Sequence, residues 1–420
     1  MTTVVLVGAL DTKRDDYLWL RDQLHGLGLR TVLVDVGTFS EGDDADVTPA
    51  DVARAAGSDL ARLRADQDRG AAMTVLGAGA AVVARRLYDE GRLDAVLAAA
   101  GSGGSSVAAQ AMQALPVGVP KLLVSTMTSG DVSPYVGATD VTMMYSVADV
   151  AGINSVSRVV LGNAVAAAAA MAQAHRDRVE HPAPAEDKPL VGATMFGLTT
   201  PAVEEAKARL EELGYEVVVF HATGSGGRAM EALVDGGFLA GVLDLTTTEL
   251  ADELCGGVLT AGPDRLEAAG RHGVPQLVSL GALDMVNFGG RATVPERYEG
   301  RTFLVHNPTV TLMRTTAAEL AELGSLIATK LRAATGPTLV LVPRRGLSGI
   351  DVEGGPFFDP AADRAAVTAL EDGLAGSGVE VQELDLAIND PGFGRSAADA
   401  LHRLIRTTPA GTAGHDEGKR

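Results

Sequence analysis

The stretch Ala100-Gly-Ser-Gly-Gly-Ser-Ser106 sets glycines and hydroxyls between an apolar run and a helix-forming run. Glycine has no Cβ, so a ligand can come close to the backbone there. A helix opening at about Ser105 and running to Ala114 would aim its first N–H groups and the positive end of its dipole at an anion, and phosphate suits that chemistry. The expected seat is Gly101, Ser102, Gly103, Gly104, Ser105 and Ser106. The same residues also fit a turn that is glycine-rich for packing alone.

Other stretches add charge to this chemistry. Asp11, Thr12 and Lys13 follow the first apolar run; Lys13 is placed as a point cation for phosphate, Asp11 as a hard oxygen ligand for magnesium. Asp35 ends the second apolar run, where a ribose would lie. For both acids a helix cap or loop hydrogen bond is the alternative. The loop Thr126, Thr128, Ser129, Gly130 and Asp131 crowds hydroxyls beside a second candidate metal ligand, Asp131. Together these residues predict a crevice for ATP with Mg2+ bridging its phosphates to Asp11 or Asp131. No residue stands out as a general base, so no catalytic residue is assigned.

Several chemistries lose support. There is no Gly-x-x-x-x-Gly-Lys-Ser/Thr, no His-Glu-x-x-His, no Cys-x-x-Cys and no Gly-x-Ser-x-Gly, which argues against P-loop, zinc and serine-hydrolase mechanisms. Gly224-x-Gly226-x-x-Ala229 formally fits a dinucleotide fingerprint with Asp244 downstream, but it follows a second strand rather than a first. A sugar-nucleotide or NAD-dependent enzyme is therefore the weaker alternative. A net charge of −19 repels nucleic acid. The single cysteine, Cys255, excludes an internal disulfide and reads as a small buried hydrophobe. With no signal-peptide pattern, and with the run Ala164 to Met171 too short to span a bilayer, the expectation is a cytoplasmic protein with no membrane partner.

The elements that must position these residues alternate between strand and helix, so the fold class is α/β. Apolar runs at Thr3–Gly8, Leu29–Val34, Ala95–Ala99, Pro120–Thr126 and Asp140–Tyr145 read as strands, interleaved with helices at 15–25, 49–56, 62–67, 78–90 and 154–174. His181–Pro189 has linker composition. Beyond it, Leu190-Val-Gly-Ala-Thr194 echoes Leu6-Val-Gly-Ala-Leu10, so the halves read as copies of one plan. Strands near 241–245, 276–280, 302–306 and 338–342 complete the expected second sheet. The organisation is a nucleotide-binding domain over 1–180, a linker over 181–189, a second domain over 190–409, and a disordered tail over 410–420. Arg344 and Arg345, at a strand end of the second domain, are candidates to reach a carboxylate or phosphate between the domains.

Gly8-Ala-Leu-Asp-Thr-Lys13, the glycine turn, the long block Ser125 to Ser146, Asp149-Val-Ala-Gly-Ile-Asn154, Gly346-Leu-Ser-Gly-Ile-Asp351 and Ile388-Asn-Asp-Pro391 resemble the ATP-binding domain family typified by the amino-terminal half of the tomato mosaic virus resistance protein. The resemblance covers nearly the whole chain. It implies two Rossmann-like three-layer domains with mainly parallel sheets, ATP in the first, and a homodimer. By position it puts the glycine turn, Asp11 to Lys13 and the Thr126 to Asp131 loop at the nucleotide. The family pattern carries histidine where this chain has Ala387. The functional expectation is an ATP–Mg2+-dependent enzyme acting on a small anionic metabolite between the domains, such as a phosphotransferase or ligase. The alternative is a nucleotide-sensing or scaffold dimer without turnover.

Overall fold

The computed structural model describes residues 1–182 and 188–407; the expected tail at 410–420 and most of the expected linker lie outside them. The chain divides into two compact units, Met1–Pro184 and Ala185–Arg420.

Unit 1 runs β1 (Thr3–Gly8), α1 (Leu10–Gly26), β2 (Arg30–Asp35), α2 (Pro49–Ala55), α3 (Leu60–Asp66), α4 (Arg69–Asp89), β3 (Ala95–Ala100), α5 (Ser102–Gln113), β4 (Lys121–Ser125), α6 (Ser133–Val136), β5 (Thr142–Tyr145) and α7 (Ser155–Glu180). Its strands form one parallel sheet in the order β2-β1-β3-β4-β5. β1, whose middle four residues are Val, Val, Leu and Val, is buried along its whole length, as a strand covered by helices on both faces must be. On one face Leu20 and Leu24 of α1 meet Leu161 and Ala168 of α7; on the other Leu76 and Val83 of α4 meet Val107 of α5. Helix, sheet and helix make the three layers.

Several helices start earlier than their sequence suggests. α5 opens at Ser102, not near Ser105, so the glycine turn is its first turn. α4 begins at Arg69, because Asp68 caps it by accepting from the Ala71 amide at 3.0 Å. α1 begins at Leu10, with a kink at Lys13 (φ −132°, ψ 27°). α4 and α7 are each long and apolar enough to cross a membrane by length and composition. Here each buries one face in the core of unit 1.

Unit 2 runs β6 (Leu190–Met195), α8 (Thr200–Glu212), β7 (Glu216–His221), α9 (Ser225–Asp235), β8 (Gly241–Thr246), α10 (Thr248–Cys255), α11 (Ala268–His272) and β9 (Gln276–Gly281). It continues through β10 (Met285–Phe288), β11 (Phe303–Asn307), β12 (Val310–Arg314), α12 (Ala317–Arg332), β13 (Thr338–Pro343), α13 (Pro360–Leu374), β14 (Glu380–Leu384) and α14 (Phe393–Thr407). The parallel sheet β14-β13-β9-β8-β6-β7 repeats the strand order of the first sheet and adds a strand. The strand expected at 302–306 is not part of it. It is β11, in a separate antiparallel sheet ordered β10-β12-β11.

Candidate functional site

In a doubly wound sheet the ligand crevice opens where neighbouring strands send their chains in opposite directions, here between β1 and β3. β1 pairs with β2 as far as Gly8↔Asp35 but with β3 only to Leu6↔Leu97, so the two strands part toward their carboxyl ends. The buried Tyr17 fills the gap. Its hydroxyl donates to the Val7 carbonyl at 2.6 Å and accepts from the Ala99 amide at 3.0 Å. Burial pushes its pKa up, so the phenol stays protonated. A Cβ on Gly8 would lie 2.0 Å from the ring.

Above this junction lies a cavity of about 740 Å³, in the range of small-ligand sites. Gly101, Ser102, Gly103 and Gly104 line it, with Asp11, Thr12, Lys13 and Thr126. Among the described residues, the Ser102, Gly103 and Gly104 amides find no partner: the first internal bond of this turn is Ser105 N–H to Gly101 O at 2.9 Å, and no side chain caps the helix. Three donors and the positive end of α5 thus face open space.

Arg69 also lines the cavity, and its Nη2 is 3.5 Å from the place a Cβ on Gly103 would take. The Lys13 ammonium donates to the Val150 carbonyl, while Asp16 accepts from the Gly152 amide at 3.2 Å. Both contacts come from α1 and tether the loop that carries Asp149 to the cavity wall. Opposite, Asp11 accepts from the Phe39 amide at 3.1 Å. That approach requires glycine at position 37, where a Cβ would come within 2.8 Å of the Asp11 carboxyl carbon.

The other expected residues lie elsewhere. Asp35 does not face the cavity: it is fully buried, accepting from the Leu10 amide at 3.0 Å and the Gly37 amide at 2.8 Å, and burial raises its pKa. It shapes the loops on either side of the crevice instead of meeting a ribose. Ser105 is buried with its hydroxyl 2.6 Å from that of Ser125, and Ser106 points to solvent. Thr128, Ser129 and Gly130 bond within their own turn or to β5. Asp131 is capped by the Ser133 hydroxyl and amide, which hold its pKa down, and is not among the cavity's lining residues. Three acids line the crevice, Asp11, Asp68 and Asp149, and of these Asp68 is engaged as the cap of α4. Asp11 and Asp149 supply the hard oxygens that magnesium takes alongside phosphate; no group of three or more metal-ligating side chains gathers among the described residues.

Arg69, Gln67, Phe39 and Asp149 escaped the sequence reading as site residues. Asp68 was the available signal for the first two. Recognising it as a cap would have started α4 at Arg69 and put Gln67 at the joint before it.

The glycine turn of unit 2 is built differently. Gly224 and Gly227 N–H donate to one Glu249 oxygen at 2.7 and 3.1 Å, and the fully buried Arg265 donates from Nε to the other at 2.7 Å. A Cβ on Gly227 would fall 2.2 Å from that carboxylate, so glycine is required for the contact. The Arg265 guanidinium also grips Asp244 through two bonds, at 2.5 and 2.7 Å. Asp244 is thus committed to an ion pair, and the glycine amides to a carboxylate of the chain itself. At the parting of β6 and β8, Thr194, Thr199 and Thr246 bond one another. Arg344 pairs with Glu383 and Arg345 with Asp385, both partly exposed pairs within unit 2.

Unit 2 also buries a cluster of acids. Arg314 donates to Asp363 at 2.7 Å and lies 3.5 Å from Asp351, while Ser348 donates to Asp284 at 2.8 Å. Asp284 and Asp351 each keep an oxygen that accepts no hydrogen bond among the described residues. Burial raises the pKa of all three, that of Asp363 to about 7. Burial likewise pushes the Cys255 thiol up to about 12, as an inert buried side chain requires.

Comparison with known proteins agrees with the two-unit division. Residues 2–177 match the N-terminal domain and residues 188–405 the C-terminal domain of the uncharacterised protein family UPF0261. A UPF0261 protein of Clostridium tetani is 45% identical over 403 residues, 96% of this chain and 98% of its own. Another, from Rhizobium meliloti, is 46% identical over 408 residues, 96% and 99% of the two chains. The ToMV resistance protein Tm-1(GCR237) of Solanum lycopersicum is 41% identical over 334 residues, which are 79% of this chain but 44% of that protein. Among solved structures, the S. aureus MnaA-UDP co-structure is similar over 89% of this chain and 97% of its own, at 11% identity and a TM-score of 0.25, which carries no argument about ligand. On these matches, which between them take in both units, the chain belongs to the uncharacterised protein family UPF0261.

Proposed function

We propose that unit 1 binds ATP with magnesium in the crevice between β1 and β3, and that the protein uses it to act on a small anionic metabolite. The observation that carries the reading is the set of free amides at Ser102, Gly103 and Gly104, beside Arg69 and an open cavity. A polyphosphate satisfies those donors; water leaves the dipole of α5 unanswered. Asp11 and Asp149 would hold the metal, which supplies charge neutralisation between phosphates when bound. Lys13 adds cationic charge at the same end. Phosphoryl transfer asks mainly for alignment and exclusion of water, which a crevice of this kind provides. The cytoplasm suits this acidic chain with its one cysteine, and a homodimer follows from the family resemblance.

The test is calorimetry of the full chain with ATP and Mg2+, followed by ADP release in the presence of a metabolite pool. Gly103→Val should weaken ATP binding by on the order of 100-fold, because a branched side chain fills the seat. Circular dichroism should be unchanged, since the nearest obstruction to a Cβ there is the flexible end of Met73, at 3.0 Å. ATP affinity equal to the parent's would remove the turn from the site. Tight binding with no metabolite-dependent ADP would make the protein a nucleotide sensor, the reading favoured by the absence of histidine from the residues that line the cavity.

A further inference from the structure

Besides the glycine turn, Arg69 and Lys13, the cavity wall carries residues that phosphate does not explain. Phe39, 66% exposed, and Leu63 give it apolar surface, and Gln67 brings a carboxamide to it. An exposed aromatic ring inside a cavity is a platform for a planar ring.

Gln67 has two further properties. Its backbone is left-handed (φ 50°, ψ 17°), because it is the joint at which α3 ends and the chain turns into the Asp68 cap of α4. Glycine or asparagine takes that conformation more readily; a longer side chain there costs about 1 kcal/mol. Its carboxamide has no hydrogen bond among the described residues and is exposed at the cavity. The joint itself is fixed: Arg64 of α3 donates to the Thr38 carbonyl at 2.7 Å and the Ser40 carbonyl at 2.6 Å, pinning α3 to the loop that carries Phe39. A strained backbone, a free amide and a pinned frame occur together at one point of the cavity wall.

We propose that Gln67 is the base-reading residue of this site, binding the 6-amino group and adjacent ring nitrogen of an adenine that stacks on Phe39. A carboxamide offers one acceptor and one donor side by side, the complement of adenine's amino group and ring nitrogen. This rests on the nucleotide reading of the crevice and adds the part of the ligand that the phosphate seat does not select.

The experiment is a chemical cycle on the full chain with Mg2+, comparing ATP, purine riboside triphosphate, which lacks the 6-amino group, and tripolyphosphate, which lacks the nucleoside. Gln67→Asn keeps a residue suited to the left-handed backbone but withdraws the amide, and Gln67→Gly supplies a second background. In the parent, removing the amino group should weaken binding about tenfold. In both variants ATP and purine riboside triphosphate should bind alike, and tripolyphosphate should bind as it does to the parent. A parent indifferent to the amino group, or variants that still discriminate, would overturn the assignment while leaving the phosphate seat intact. An equal fall in tripolyphosphate affinity would overturn it as well, by showing that the substitution damages the seat. A parent that binds neither ATP nor tripolyphosphate would remove the nucleotide reading itself.

Discussion

A single phenol defines the crevice at the scale of one residue. Tyr17 supplies the hydrogen bonds that β1 and β3 cannot give each other once they part, at Val7 and Ala99. Tyr17→Phe should lower the denaturation free energy by about 1–3 kcal/mol, because a buried carbonyl and amide both lose their partner. Urea unfolding followed by tryptophan fluorescence reads the change; an unaltered midpoint would mean that water takes the phenol's place at no cost. Some of these residue-level roles were legible in the sequence and some were not. Asp11 and Lys13 were placed at the crevice by their position after the first strand, and the cavity does collect them. Asp35 was misread because the carboxyl end of the second strand borders the ligand crevice, whereas its side chain turns back to two backbone amides. Spacing reports where a residue lies along a strand end, not which way its carboxylate faces.

At the scale of elements, the strands of the first sheet were legible, as were the starts of α2 and α7, while the starts of α1, α4 and α5 were not. Buried parallel strands are continuous apolar runs, so β1, β2 and β3 were readable to within a residue or two. α5 opens from Gly101 with no capping side chain, and the Asp68 cap of α4 follows directly on the end of α3, so neither start stands apart in the sequence. The two glycine turns, alike in sequence, are separated by what their amides meet: open space at α5, and Glu249 at α9. No local pattern carries that difference, because Glu249 is 25 residues from Gly224. Glu249→Ala should destabilise unit 2 by about 3–5 kcal/mol, since it leaves buried amides and part of the Arg265 charge unanswered. Differential scanning calorimetry should show a lowered transition. No change would mean that Arg265 and its remaining acids, Asp244 and Glu231, suffice.

The whole molecule should respond to pH through Asp284, Asp351 and Asp363. Burial raises their pKa in the folded chain, so folding favours the protonated acids. The stability this contributes is complete below about pH 4, the ordinary carboxylate range, and is lost as pH rises through about 7. The melting temperature should therefore fall between about pH 4 and pH 7 and level off above that range. Asp284→Asn should flatten that slope; a parent whose melting temperature is level across the range would contradict the buried, proton-holding arrangement. The repeat of strand order in the two sheets was foreshadowed by the echo of Leu6-Val-Gly-Ala-Leu10 in Leu190-Val-Gly-Ala-Thr194. The antiparallel insertion was not, because its strands are four or five residues long and hold Asn287, His306, Asn307, Thr311 and Arg314 in place of a continuous apolar run.

The carboxylate of Glu249 has a further meaning for how this chain experiences solution. A tethered anion is present at a local concentration that dialysis cannot lower, so the turn of the trailing half is answered by the chain itself, whereas the amides of the leading turn are left to the solution. If a nucleotide occupies unit 1 as proposed, adding and then dialysing out ATP with Mg2+ should change amide exchange at the α5 turn and leave that at Gly224 and Gly227 as it was.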